Sequence, residues 1–405
     1  MKVLHVITGL ASGGAERQLE LMVRHLPARY RCEVATLTNP GSVAEALRAD
    51  GVTVHDLRMR GNRDLGVLPR LTGLIRHGGY DLVHTHLYRA MLYGRLAARL
   101  AGVRPVLATE HSLHATVIEG RPVTQGVKSL YLAAERLGTT TVAVSRQVAA
   151  TLADWGVPDH RVTLLPNGID AARYALPTAS RLALRQNLRA ELGLPQTSWV
   201  VGAVGRLVPG KRFDLLVTVL AELSRLAAEY PALREPWLLL VGAGPEREAL
   251  LRQAAALGVR ERVVLAGERG DVPELLTAVD ALAAPSAEET FGLTVLEGLA
   301  AGLPVRHSAC PALDELPASA APEAARLPQT AAAYTTALCE LWSRRSAPLP
   351  IPDAVRHYDI AAIAERLALT YDRTLEHHGS GAGTPAAVPH GRAGEQQHEP
   401  PVRRI

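Results

Sequence analysis

The sequence predicts an α/β fold of two doubly wound parallel sheets facing each other across a cleft, and three observations carry that expectation. Apolar runs of strand length alternate with amphipathic stretches of helix length along most of the chain. The alternation stops once, at a polar stretch near 178–195, and then resumes. The 405 residues, 47% of them hydrophobic, exceed what one core usually serves.

The first series has strand-like runs at 3–7, 33–37, 52–56, 82–84, 106–109, 141–144 and 162–164, with amphipathic segments between them. After PNGID at 166–170, a helix-prone segment at 178–192 ends at Gly193 and Pro195. A second series follows at 199–204, 237–241, 263–265, 280–284 and 304–307. The expected divisions are a first half at 1–175, a second at 176–358, a closing amphipathic helix at 359–377 and a disordered tail at 378–405, rich in Gly, Pro and polar residues. Ligands of such sheets bind outside the carboxyl ends of the strands.

Charge is modest at +4, but residues 1–170 hold 20 Lys+Arg against 14 Asp+Glu, and the remainder 24 against 26. A basic first half suits an anionic membrane surface or a phosphorylated substrate, and equally an ordinary solvated face. Aromatic content of 4% and the lack of a basic patch interleaved with aromatics argue against nucleic-acid binding. No apolar stretch approaches the roughly 20 residues that span a bilayer. MKVLHVITGLASGG reads as a strand and glycine loop rather than a cleaved leader. Cys32, Cys310 and Cys339 have neither disulfide-framework nor zinc spacing, as expected for a cytoplasmic protein.

The richest stretch is PSAEETFGLTVLEGLAAGLPV at 285–305. A strand at 280–284 runs into a loop and then a helix at 293–301, with Leu293, Leu296, Ala300 and Leu303 facing inward. With Thr290 as the expected cap, the amides of Phe291, Gly292 and Leu293 lack intrahelical acceptors, and the helix dipole adds positive charge at that mouth. Glu289 lies in the loop and Glu297 one turn into the helix. An anion site flanked by carboxylates that accept from vicinal hydroxyls fits a phosphate between two polyols, the layout of a nucleotide sugar.

Three other strand ends run into glycine. GLASGGAERQ at 9–18 lets amides at Gly13 and Gly14 approach a ligand. GRLVPGKR at 205–212 approximates a phosphate-binding P-loop, but Arg212 stands where a Ser or Thr would ligate magnesium, so Arg206 and Lys211 are expected as cations for a diphosphate. VGAGPERE at 241–248 resembles a dinucleotide fingerprint with Arg247 in place of its third glycine, and serves equally as a plain strand-to-helix joint. HTH at 84–86 and EHSLH at 110–114 follow strand ends. With no carboxylate or cysteine at ligand spacing, no metal is expected; His84 reads as core, and His111 as a hydrogen-bonding group in the cleft.

Taken together, GLASGGAERQ, EHS at 110–112, AVSR at 143–146, LPNGID at 165–170, GRLVPGKRFDLL, VGAGPERE and EETFGLTVLEGLAAGLPV resemble the retaining glycosyltransferases of family 4, over residues 2–376 and in the family's order. The resemblance implies the GT-B fold, with the acceptor on the first half, the nucleoside diphosphate sugar on the second and the last helix crossing back to the first. By the same resemblance, Arg206 and Lys211 are the diphosphate cations, and Glu289 and Glu297 the two acids of the E-x7-E motif, near the sugar and on the ribose. It puts the amides of Phe291, Gly292 and Leu293 on phosphate or sugar, Gly14 near the diphosphate and His111 near the reaction centre. The chain departs from the pattern after GLPV, where RHSACPALDE replaces small residues and a Gly-Gly. Pro311 is expected to stiffen that loop and remove an amide, while Glu315 keeps the family's acid.

The implied reaction moves a sugar from a nucleoside diphosphate, UDP being the commoner family choice, to an acceptor hydroxyl with retention and without metal or cofactor. Two cations and a helix mouth stabilise the charge growing on the leaving diphosphate. The chain contains no Asp-x-Asp, the metal-holding element of the other main glycosyltransferase fold. Expected acceptors are a lipid-linked glycan at the inner membrane face, reached by peripheral contact, or a small aglycone. Competing readings are a P-loop NTPase, an epimerase or hydrolase of the same fold, and an inactive binding subunit.

Overall fold

The computed structural model describes residues 1–11, 13–61, 64–113, 117–118, 121–230, 233–343 and 348–379. Most of the tail expected at 378–405 lies outside these residues, as does His114. The first half supplies β1 (Lys2–Ile7), β2 (Arg31–Thr36), β3 (Val54–Asp56), β4 (Leu82–His86), β5 (Val106–Glu110), a two-residue ribbon of β6 (Val117–Ile118) and β7 (Arg121–Pro122), β8 (Thr140–Ala143) and β9 (Val162–Leu164). Apart from the antiparallel ribbon, these strands form a parallel sheet of order β3-β2-β1-β4-β5-β8-β9. The second half supplies β10 (Trp199–Val204), β11 (Pro236–Val241), β12 (Val263–Gly267), β13 (Ala281–Ala284), β14 (Val305–His307) and β15 (Ala324–Arg326), parallel in the order β12-β11-β10-β13-β14-β15.

Helices cover both faces, so the central strands are buried throughout. In β4, β5 and β13 every residue is buried; β13, ALAA, reads accordingly as an unbroken apolar run, whereas β4 and β5 bury His84, Thr85, His86, Thr109 and Glu110 as well. In both sheets the strand order reverses beside the first strand, between β1 and β4 and between β10 and β13. The crevice at such a switch point is where an open parallel sheet takes its ligand.

Three departures from the sequence reading have local causes. β4 runs on to His86, so HTH lies within a strand rather than after one; the sheet on both sides overrides the polar side chains. β3 starts at Val54 instead of residue 52. β15, only three residues long and edge-paired, carries no apolar run that would betray it.

The helix Ile360–Gly379 lies on the first half, where Ile360, Ile363, Ala364, Leu367, Ala368 and Tyr371 pack against Val3, Leu82, Leu107 and Val142 from four strands. The chain enters this helix beside its earlier crossing. Ile169 N–H donates to the Tyr358 carbonyl at 2.8 Å, and Ile360 N–H to the Ile169 carbonyl at 3.1 Å. Gly168 permits this approach, since a Cβ there would stand 2.8 Å from the Ile360 Cα. Gln18 completes the joint by exchanging two hydrogen bonds with the Gly168 backbone, at 2.7 and 2.9 Å.

Candidate active site

The loops after β10 and β13, the two strands that flank the second switch point, supply the site's charged pair. The β10 loop closes in a single 3-10 turn, Pro209–Lys211, and therefore does not form a P-loop. Lys211 Nζ lies 2.5 Å from Glu289 Oε1 of the β13 loop, with the side chains 25% and 18% exposed. Ala287 N–H donates to the Gly210 carbonyl at 2.8 Å, fastening the loops together. Arg206 stands exposed on the same loop with no ion-pair partner among the described residues, whereas Arg212 turns away to Asp214 at 3.0 Å.

The VGAGPERE loop explains itself by packing. A Cβ on Gly242 would stand 2.0 Å from the Gly205 carbonyl oxygen, and one on Gly244 2.3 Å from that of Leu207. These glycines let one backbone lie on another, which supports the strand-to-helix joint over a dinucleotide fingerprint.

The helix Leu293–Ala300 begins as the pattern predicts, but its cap is Gly292 in the left-handed region at φ +100, not Thr290. A Cβ at Gly292 would meet Cys310 Sγ at 2.5 Å, so glycine is required on both steric and conformational grounds. Thr290 has another task. Its hydroxyl donates to the His111 carbonyl at 2.7 Å, bridging the two halves. As first-turn residues, Leu293 and Thr294 keep amides without intrahelical acceptors. The Phe291 side chain is core, edge-on to Tyr358 at 5.0 Å, and its carbonyl accepts from Ala312 N–H at 2.9 Å. Pro311 opens a short helix, Pro311–Asp314, at a position where a missing N–H costs nothing, so the stiffening expected of it is simply a helix start.

Other contacts close the crevice from the first half. A Cβ on Gly14 would come within 3.7 Å of Leu293 Cδ1, so the two named residues face each other across it. The Arg17 guanidinium lies against Gly270, 3.2 Å from where that residue's Cβ would be. Glu315 accepts from the Arg146 N–H at 2.6 Å, joining the second half to the start of the helix Arg146–Trp155.

Glu297 sits deeper. Burial pushes its carboxyl above the usual range, against a hydrogen bond with Tyr174 and the charges of Arg173, Arg17 and Lys211. A part-buried carboxyl with Tyr174 and three cations around it is suited to hydroxyl partners. Arg17, Arg173 and Tyr174 escape the sequence reading. Arg17 follows GGAE on the first helix, and the other two follow PNGID, so proximity to those loops was the available signal.

His111 is partly exposed at the crevice, and behind it lies a buried row of imidazoles. His86 Nδ1 and His111 Nε2 are 3.1 Å apart, as are His5 Nδ1 and His86 Nε2. His84 bonds Tyr371 Oη and Thr109 Oγ1, each at 2.7 Å. Burial lowers all four rings, His5 to about 3 and His111 to about 4, so they are neutral near pH 7. His84 is core, as expected; His5 escapes the sequence reading, although β1 and β4 pair it directly with His84. His5, His84 and His86 bring ring nitrogens within 4.8 Å of one another, the single such group among the described residues. Within it only His5 Nε2 is uncommitted, so the arrangement as it stands is a hydrogen-bonded network.

Two family models match the chain in tandem. The model for Glycosyltransferase Family 4 covers residues 12–173, and that for Glycosyl transferases group 1 covers residues 185–321. The chain belongs to glycosyltransferase family 4. Among curated relatives, it is 32% identical over 319 residues to a D-inositol 3-phosphate glycosyltransferase of Salinispora tropica, covering 74% of this chain and 63% of the relative. It is 29% identical over 244 residues to the UDP-Gal:alpha-D-GlcNAc-diphosphoundecaprenol alpha-1,3-galactosyltransferase of Escherichia coli, covering 60% and 61%. The chain thus spans less than two thirds of the length of these relatives. Among solved structures, Anabaena HepE in complex with UDP-glucose superposes with a TM-score of 0.77 at 22% identity, covering 92% of this chain and all of that one. WaaG, a glycosyltransferase involved in lipopolysaccharide biosynthesis, gives 0.69 at 20% identity, covering 91% and 99%. The fold of this family 4 member is GT-B.

Proposed function

We propose that the chain transfers a sugar from a nucleoside diphosphate, most simply UDP, to an acceptor hydroxyl with retention of anomeric configuration. The observation that carries this reading is the contact of Lys211 with Glu289 at the mouth of the helix Leu293–Ala300, opposite Gly14. A cation, a carboxylate and free amides there suit a diphosphate joined to a sugar.

In the reaction the bond from the anomeric carbon to the diphosphate oxygen breaks, a bond to the acceptor oxygen forms on the same face, and the acceptor's proton passes to the departing phosphate. Negative charge grows on the diphosphate, so Lys211, Arg206 and the Leu293 and Thr294 amides stabilise the transition state more than the ground state. These groups would do the work that a divalent cation does elsewhere, and no metal or cofactor is invoked. Glu289, released from Lys211 as the diphosphate arrives, would accept from sugar hydroxyls, and Glu297 from the ribose diol. His111 would meet the sugar from the first half.

The donor assignment draws on HepE, solved with UDP-glucose, and on the Escherichia coli relative, named for UDP-Gal. The acceptor is proposed to rest on the first half and to be a lipid-linked glycan or a small polyhydroxylated molecule, the kinds of acceptor named for the relatives. A lipid-linked acceptor is proposed to be met by peripheral contact at the cytoplasmic membrane face; among the described residues no helix is long and apolar enough to cross a membrane. A panel of nucleotide sugars read by nucleotide release, followed by acceptor trials with the best donor, tests the reading. Sugar transfer that needs an acceptor supports it, and donor turnover without acceptor would point to a hydrolase or epimerase. Failure of every nucleotide sugar to bind by calorimetry sinks it.

A further inference from the structure

The row His5–His86–His111 has a property that follows from counting protons. Each neutral imidazole carries one N–H and one bare nitrogen, and His86 uses both, one toward each neighbour. The hydrogen bonds must therefore run in one direction along the row. In one state, His5 Nε2 is bare and His111 carries its proton on Nδ1. In the other, His5 Nε2 carries a proton and His111 Nδ1 is bare. Both terminal atoms, His5 Nε2 and His111 Nδ1, are buried and unpartnered among the described residues.

The two ends differ in what can reach them. His5 is fully enclosed within β1 and can gain no partner, so a proton on its Nε2 would be a permanently orphaned donor, the rarer and costlier kind of unmatched buried group. His111 as a residue is partly exposed at the crevice, its carbonyl held by Thr290 one residue from Glu289; its Nδ1 is covered in the unliganded chain, and a shift of the ring toward the crevice would give that atom water or a ligand oxygen as acceptor, a relief closed to His5. The balance selects the state with the proton at the crevice end.

We propose that His5 and His86 are positioning residues that lock His111 in the Nδ1–H tautomer, making it a hydrogen-bond donor to an oxygen of the bound sugar donor and not a base; the sugar as partner rests on the glycosyl-transfer reading above. The lock acts through three rings that begin in β1, at the centre of the first sheet. Tyr371 and Thr109 take both nitrogens of His84, leaving it outside the row and the row's direction undisturbed.

Ring-15N-labelled histidine and long-range 1H–15N correlation spectra of the unliganded full chain read the tautomer directly, with His111→Gln identifying the signal. The expected wild-type result is a protonated Nδ1 and a bare Nε2 at His111. His86→Leu cuts the row and releases His111 toward Nε2–H. His86→Gln preserves the lock, because the carboxamide accepts from His5 through its oxygen and donates to His111 through its nitrogen. Calorimetry then compares UDP-glucose with UDP. His86→Leu should weaken UDP-glucose about threefold to tenfold, the loss of one hydrogen bond, and leave UDP unchanged, with His86→Gln close to wild type.

A bare Nδ1 in wild-type His111 overturns the proposal whatever the variants do, including their failure to fold. So does an unchanged tautomer in folded His86→Leu, or a stoichiometric metal ion that His86→Leu loses. The tautomer is measured without ligand, so its failure is separate from that of the transfer reading, which falls if the wild type binds no nucleotide sugar.

Discussion

Lys211 and Glu289 meet at 2.5 Å across the gap between the loops that leave β10 and β13. The pair is part-exposed and near the surface, where an ion pair adds little to stability. Its position at the switch point is what makes it worth testing. Lys211→Ala should lower nucleotide-release turnover by about 10²–10³-fold, as loss of one preorganised charge donor does, while the melting temperature stays close to wild type. Near-normal turnover in a folded variant would remove Lys211 from the reaction.

Thr290 is the second test, because the sequence assigns it to the helix cap and the structure gives it to His111. Thr290→Val keeps the shape and deletes one hydrogen bond between the halves, at a net cost of about 1 kcal/mol. The expected result is a several-fold rise in the donor KM with helix content unchanged. A variant that melts early and loses helicity would return Thr290 to the capping role.

Acid should unfold the protein through its histidines. His5 and His111 fall to about 3 and about 4 in the folded chain, His84 and His86 are lowered as well, and His307 falls to about 4. The unfolded chain binds protons near pH 6.5 and the folded chain does not, so stability is fully present above that pH and declines as pH drops below it. Glu297, raised by burial, works in the opposite sense and offsets part of the slope. Urea midpoints between pH 7 and pH 5 should decline steadily, and the slope should be shallower in His307→Gln. A flat profile would mean that the rings are not buried neutral.

Asp280 holds the segment between the halves. Its carboxylate takes Arg185 at 2.8 Å, the fully buried Arg189 at 2.9 Å and the Val200 N–H at 2.8 Å. Burial lowers the Arg189 guanidinium to about 10, and it remains charged at neutral pH. Asp280→Ala leaves that charge enclosed, and the expected cost is about 3–5 kcal/mol, read as a lowered urea midpoint. A midpoint within about 1 kcal/mol of wild type would show that the carbonyls around Arg189 suffice.

The parallel sheets are legible because buried parallel strands such as β10, β11 and β13 are continuous apolar runs. The pairing of Lys211 with Glu289 was legible only in part. Each lies in a loop that follows a strand, but nothing local says that the strands are neighbours; that is a property of sheet order. The capping of the helix after Glu289 was misread for a related reason. Thr290 is a favoured cap residue type just ahead of the apolar helix pattern, and what takes its hydroxyl instead is a carbonyl 179 residues away. His5 was missed because one polar residue in KVLHVI reads as noise until the register places it against His84.

The helix Ile360–Gly379 covers β1, β4, β5 and β8 of the first sheet. On a ribosome, those strands emerge long before their cover does. Val3, Leu82, Leu107 and Val142 must therefore remain wetted, or sheltered by a chaperone, until the second half has been made and the chain has doubled back. The region synthesised first is the one whose burial is completed last.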